Sequence, residues 1–239
     1  MQEIIQRLSV DYAPSDNPYI RGLEDGHLSR EDFLETQVQF YFAVVFFSRP
    51  MAVLAAKIPS SRQRVEILRN VWEEHGEGDT DGRHGASFLE LLHRLEGLSL
   101  EDVERRALWP EVRAFNTCLV GTCTLDDWEV GAGMLGIIEH QFAEISTRIG
   151  RAIVERGWLP EGRIVHYALH QELDQRHSAD FFEALEPAWE RDERVRYRIE
   201  QGLQLGAYVF DRLYRGLWEA RTRRVESAIA RPQDHLYAE

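Results

Sequence analysis

From Arg30 to Thr222 the apolar residues recur almost without interruption at helical spacing, and no run alternates as a half-buried strand does. That pattern confines the chain to an all-α fold. Ser29 supplies an N-cap for a helix from about Arg30 to Lys57, within which Pro50 should introduce a kink. Further helices are expected over about Ser61 to Glu74, His84 to Leu95, Pro110 to Val120, Asp127 to Arg156, Arg163 to Leu185 and Trp189 to Thr222. Asp126 should cap the helix from Asp127, Gly157 should end it, and Pro187 should end the helix from Arg163. The expectation is a bundle of about seven helices in one domain over 1–239. Its core would run over about 18–222, with a solvated tail from Arg231 to Glu239.

The formal net charge of -13 argues against nucleic acid as a partner, since phosphate binding needs clustered positive charge. The longest apolar run, Phe40 to Leu54, is broken by Ser48, Arg49 and Pro50, short of the roughly 20 residues that span a bilayer. Met1 to Val10 alternates charged with apolar residues and does not read as a signal peptide. No membrane partner and a cytoplasmic location are therefore expected. Cys118 and Cys123 have neither zinc-ribbon nor CxxC spacing and read as small buried hydrophobes.

Chemistry concentrates in one segment. His166, His170, Asp174 and His177 fall within an arc of roughly 80° on a helix, bordered by Leu169, Leu173 and Phe181. Buried imidazoles and carboxylates need partners, and a divalent metal satisfies several at once. His170 and His177 lie roughly 10 Å apart along the axis, too far for one ion but within reach of two ions about 3.5–4 Å apart with Asp174 between them. Glu139, flanked by Leu135, Ile138 and Phe142, offers a further buried carboxylate. Glu73-Glu74-His75 and His84 bracket a glycine-rich loop. Any one of these residues alone could be a surface or hydrogen-bonded group; it is their clustering that points to a metal.

The order Glu74…His84…Glu139…His170-x3-Asp174-x2-His177 resembles the heme-oxygenase-like diiron proteins, the group that includes CADD-, UndA-, BesC- and SznF-type members. Asn17-Pro18-Tyr19, Gly22-Leu23, Gly26-His27-Leu28-Ser29, Asn70-x2-Glu73-Glu74, Gly202 and Tyr208 add to the likeness, which covers about Pro18 to Ala220. The resemblance implies a heme-oxygenase-like bundle in which Glu74, His84, Glu139, His170, Asp174 and His177 ligate two ferrous ions, with dioxygen as co-substrate. Glu73 or Glu77 could take the place of Glu74. The extra glutamate that some N-oxygenating relatives carry on the first long helix has no counterpart near Phe47-Ser48-Arg49.

The expected activity is that of a diiron oxidase or oxygenase acting on a small molecule. An amino acid or amine undergoing N-oxygenation or carbon–carbon cleavage is placed ahead of a fatty acid undergoing oxidative decarboxylation. That preference rests on Arg49 as a carboxylate clamp, with Tyr41 and Tyr167 lining the cavity. His166 and His140 are expected behind the ligands. Gly131, Gly133 and Gly136 leave either room for substrate or close helix packing. Metal-free enzymes of the TenA and PqqC kind and a non-catalytic iron-binding protein are the rival readings, and a homodimer is an open expectation.

Overall fold

The computed structural model describes residues 1–78 and 84–226, excluding the side chains of His84, Gln171 and Glu172; the expected tail from Arg231 lies outside the described residues. Ten α-helices are found there and no strand beyond an isolated bridge between Arg106 and Glu226. They are α1 (Gln2–Asp11), α2 (Pro18–Glu24), α3 (Arg30–Lys57), α4 (Ser61–Glu74), α5 (His84–Glu96), α6 (Leu100–Glu104), α7 (Pro110–Leu125), α8 (Trp128–Glu155), α9 (Val165–Arg191) and α10 (Glu193–Ala220). The three beyond the expected seven are α1, α2 and α6, all short and not announced by a long apolar period.

Local chemistry explains most boundaries. Ser29 Oγ accepts from the amide of Asp32 at 3.0 Å, and Asn17 Oδ1 accepts from that of Tyr19 at 3.0 Å ahead of Pro18. Gly157, at φ +66°, ends the α8 turn, with the amide of Trp158 reaching back to the carbonyl of Ile153 at 3.0 Å. Asp126 does not start α8: it closes α7, which runs on to Leu125, and Lys57 donates to the carbonyls of Thr124 (3.1 Å) and Asp126 there. Pro187 does not end α9 either. The helix continues through it because Ala188 is buried and Trp189 packs on the core, and it stops only at Asp192. Asp192 is extended (φ -162°) and caps α10 by accepting from Val195 N at 2.9 Å.

α8 is the axis of the bundle, packed chiefly against α9 and α10 and also against α7 and α3. Its glycines are spent on helix contact rather than on substrate space. A Cβ on Gly133 would lie 2.9 Å from Ile199 O, and one on Gly136 would lie 2.8 Å from Phe181 Cβ. α3 is long and apolar enough, by length and composition, to cross a membrane, but 78% of its most apolar window is buried inside the bundle, as a core helix is. Its Pro50 lies inside the helix, and the run broken on paper at Ser48 is continuous.

Candidate metal centre

Each of the five expected ligands with described side chains is brought to within a few ångströms of another by α4, α8 and α9. Glu74 ends α4, Glu139 sits at the middle of α8, and His170, Asp174 and His177 follow one stripe of α9; all are buried. His177 Nδ1 lies 3.7 Å from Glu74 Oε1 and 3.8 Å from Glu139 Oε1, and each residue of this trio can offer a ligand atom within 4.8 Å of the other two. His170 Nδ1 and Asp174 Oδ1 are 2.7 Å apart. The side chain of His84 lies outside the described residues, although the residue begins α5, the helix whose Ser87 Oγ stands 3.0 Å from His166 Nδ1 on α9.

Glu73, Glu74 and Glu77 differ in where they stand relative to His177. Glu77 is exposed, in a left-handed conformation at φ +54°. Glu73 points to the far side of His177, its Oε2 2.8 Å from Nε2 and 2.5 Å from an Arg176 Nη2. Glu74 alone of the three joins Glu139 and His177.

Other expected positions separate. His166 is fully buried, its ring centroid 4.2 Å from that of His170. His140 is exposed on the other side of α8 and meets Ser9 Oγ of α1 at 3.3 Å, so it stands away from the centre. One residue along a helix turns the side chain by roughly 100°, and Glu139 takes the inward direction. Arg49 lies over Phe46 at 5.8 Å and does not line the cavity described next. Tyr167 is committed to a hydrogen bond with Gln37 Oε1, and Tyr41 packs on Phe42 and Phe88, so neither tyrosine lines it.

That cavity opens on Glu74, Glu139 and His170 and is otherwise walled by Phe40, Ala43, Val44, Phe47, Phe115, Ile138, Phe142 and Phe210. It offers about 40 Å³ to the centres of water-sized molecules, enough for about three of them at ~10–15 Å³ each. Sequence alone does not announce this wall, because its phenylalanines come from four different helices and meet only in the fold.

Electrostatics favour a cation here. Burial, then the charges of Glu139 and Glu74 and a hydrogen bond with Glu139, hold the Asp174 carboxyl well above the usual carboxylate range. Burial alone would lower His177, but the hydrogen bond and charge of Glu139, the charge of Glu74 and the bond to Glu73 outweigh it and push the imidazole up to about 9. Among the described residues, Asp174 Oδ2 is buried and meets no hydrogen-bond donor. Three enclosed carboxylates beside imidazoles, one oxygen lacking a donor, form a set that divalent iron fits in charge and donor type.

A pH dependence follows for the metal-free protein. Both groups have folded values above their unfolded ones, so each contributes stability below the unfolded value that is lost as pH rises through the folded value. For His177 the window runs from 6.5 to about 9, and the loss across it is roughly 3 kcal/mol. Melting of metal-free protein should therefore fall steadily over this range, and a bound divalent cation, which replaces the protons, should flatten the decline. A melting temperature that rises with pH over the same window would mean that the imidazole does not face those carboxylates.

Among solved structures, a domain of unknown function with a heme oxygenase-like fold from Shewanella denitrificans OS217 superposes with a TM-score of 0.77 at 14% identity, covering 92% of this chain and 93% of that one. A CADD-like protein of unknown function from Nostoc punctiforme PCC 73102 gives 0.74 at 15% identity over 92% and 96%. A TenA homologue from Pseudomonas syringae pv. tomato DC3000 gives 0.68 at 15% identity over 90% and 92%. These likenesses establish a heme-oxygenase-like fold. No curated protein matches the chain. A sequence profile described as iron-containing redox enzyme matches residues 34–208, which takes in Glu74, Glu139, His170, Asp174 and His177, and the chain belongs to that family of iron-containing redox enzymes.

Proposed function

We propose that this protein is a dioxygen-using non-heme diiron oxidase or oxygenase whose substrate is predominantly apolar. Glu74, Glu139 and His177 would hold one ferrous ion and His170 with Asp174 the other, His84 being the sixth residue of the set. Bound there, two ferrous ions would supply the electrons that reduce dioxygen. The observation that carries the reading is the convergence of buried carboxylates and imidazoles at the end of an aromatic cavity.

The chain's own residues do three things. Glu139, from the middle of α8, reaches both His177 and Asp174 and so ties the two halves of the centre together. Asp174 Oδ1 orients the His170 ring through Nδ1. Phe40, Phe47, Phe142 and Phe210 keep bulk water from the carboxylates and offer dispersion contacts to a hydrocarbon group. Among the described residues the wall contains no arginine or lysine, which removes the ground for an amino-acid substrate clamped by Arg49.

The test is anaerobic ferrous titration followed by oxygen-uptake measurements against two panels, aliphatic or aromatic carboxylic acids and free amino acids. Two ferrous ions per chain and uptake stimulated by the first panel are expected. Stimulation only by amino acids would reject the apolar substrate. Iron binding without stimulated uptake by any compound would favour an iron-binding protein, and turnover of metal-free protein would favour the TenA-like reading.

A further inference from the structure

We infer that Glu73 is a positioning residue: it holds His177 by Nε2 so that Nδ1 is the nitrogen offered to the metal, while His170 offers Nε2. The inference rests on the diiron reading above and adds to it the nitrogen each histidine uses and the residue that decides it.

The two acids that end α4 stand on opposite sides of one ring. Glu73 Oε2 is 2.8 Å from His177 Nε2, a hydrogen-bond distance, whereas Glu74 Oε1 and Glu139 Oε1 approach Nδ1 at 3.7 and 3.8 Å. Adjacent helical residues diverge by roughly 100°, so both acids can flank the imidazole only if it enters between them. His177 is fully buried, and its ring cannot turn over without breaking the Glu73 contact. Arg176, the residue before it, donates to the same Glu73 oxygen at 2.5 Å from its more exposed position and holds the acceptor in place. α9 thus carries both the ring and the clamp on the carboxylate that orients it.

Two turns earlier on α9 the arrangement is reversed. His170 Nδ1 is 2.7 Å from Asp174 Oδ1, which leaves Nε2 as the ligating nitrogen of that ring. A neutral imidazole has one donor and one acceptor nitrogen, and the carboxylate on one side fixes which is which. An anionic acceptor on the distal nitrogen also makes the proximal one a stronger electron donor to a cation. Nδ1 lies nearer the backbone than Nε2, so His177 reaches a shorter way into the centre than His170.

Zinc-loaded protein with ¹⁵N-labelled histidine reads the assignment directly, since zinc is diamagnetic and takes the same donors. The expected spectrum has a slowly exchanging Nε2–H for His177 and a zinc-bound Nδ1. Glu73→Gln keeps an acceptor at the same place without its charge; it should retain this spectrum and bind zinc about 10-fold more weakly. Glu73→Leu should lose the protected proton and bind up to about 100-fold more weakly. Zinc on Nε2 in the wild type, or Glu73→Leu with wild-type affinity and spectrum, would overturn the inference while leaving the metal centre standing. A wild-type protein that takes up neither zinc nor ferrous iron would overturn both together. The Gln variant, being isosteric, keeps the test informative if the Leu variant fails to fold.

Discussion

Asp174→Asn is expected to abolish iron binding and at the same time to make the metal-free protein harder to unfold. Asp174 is fully buried, and burial together with the charges of Glu139 and Glu74 disfavours its ionised form. The amide is nearly isosteric. Its oxygen can still accept from His170 where Asp174 Oδ1 now stands 2.7 Å from Nδ1, and its NH2 can donate toward Glu139, filling the direction in which Oδ2 meets no donor. Asparagine needs no proton to be buried neutral, whereas Asp174 must take one up on folding, so the change should stabilise metal-free protein by about 1–3 kcal/mol near neutral pH and above. The same change deletes an anionic ligand. Ferrous affinity should fall by more than about 100-fold, the rise in melting temperature on adding metal should vanish, and oxygen uptake should drop to background. Parallel melting curves with and without ferrous iron under nitrogen read both effects. A residue that served only to hold the fold would move both quantities downward, so a metal-free Asp174→Asn less stable than wild type would sink the account of this carboxylate.

Such opposite movements are what a strained functional site produces, and they bear on how much of it can be read from residues alone. The α9 stripe and the inward Glu139 were legible because helical periodicity fixes which residues share a face, and the apolar flanks say which face is inside. Ser29 and Gly157 were legible because capping is local chemistry. Pro187 misled because a local rule met a tertiary one: burial of the turn beyond it outweighs the missing backbone donor. His140 misled for lack of α1, whose Ser9 receives it and whose ten residues carry too short a period to announce a helix. The choice between Glu73 and Glu74 could not be made at all, since two adjacent acids differ only in direction and the direction is set by where α9 lies. The aromatic wall is a long-range product in the same sense: nothing in the spacing of Phe40, Phe142 and Phe210 says that they face one cavity. Sequence gives donors and faces; long-range packing supplies distances and the shape of the space between them.

The glycines on the α8–α10 seam carry that long-range dependence furthest, and Gly202→Ala should be the most damaging single methyl in the chain. A Cβ there would sit 2.2 Å from Val130 O and 2.9 Å from its carbonyl carbon, both backbone atoms of α8 that cannot rotate away. Gly206 has the same relation to Met134 O at 2.4 Å, and Gly133 faces Ile199 O at 2.9 Å from the other side. The two helices thus touch backbone to backbone, as small residues allow, over the two turns just before Glu139. Admitting the methyl means pushing α8 outward, and α8 also packs along α9, so the displacement cannot be absorbed on one side without opening the other. We expect a loss of about 3 kcal/mol or more, which for a chain of this size is a fall of roughly 6–12 °C in melting temperature. Because Glu139 rides on the displaced helix, ferrous binding should weaken in the fraction that still folds. Gly121→Ala on α7, where nothing lies within 4 Å of the added atom, is the control and should be neutral or stabilising by up to about 1 kcal/mol. Chemical denaturation of the two variants decides it: if Gly202→Ala unfolds within 1 kcal/mol of the Gly121→Ala protein, the seam has slack, and the position of Glu139 must be held by its contacts with α4 and α9 instead.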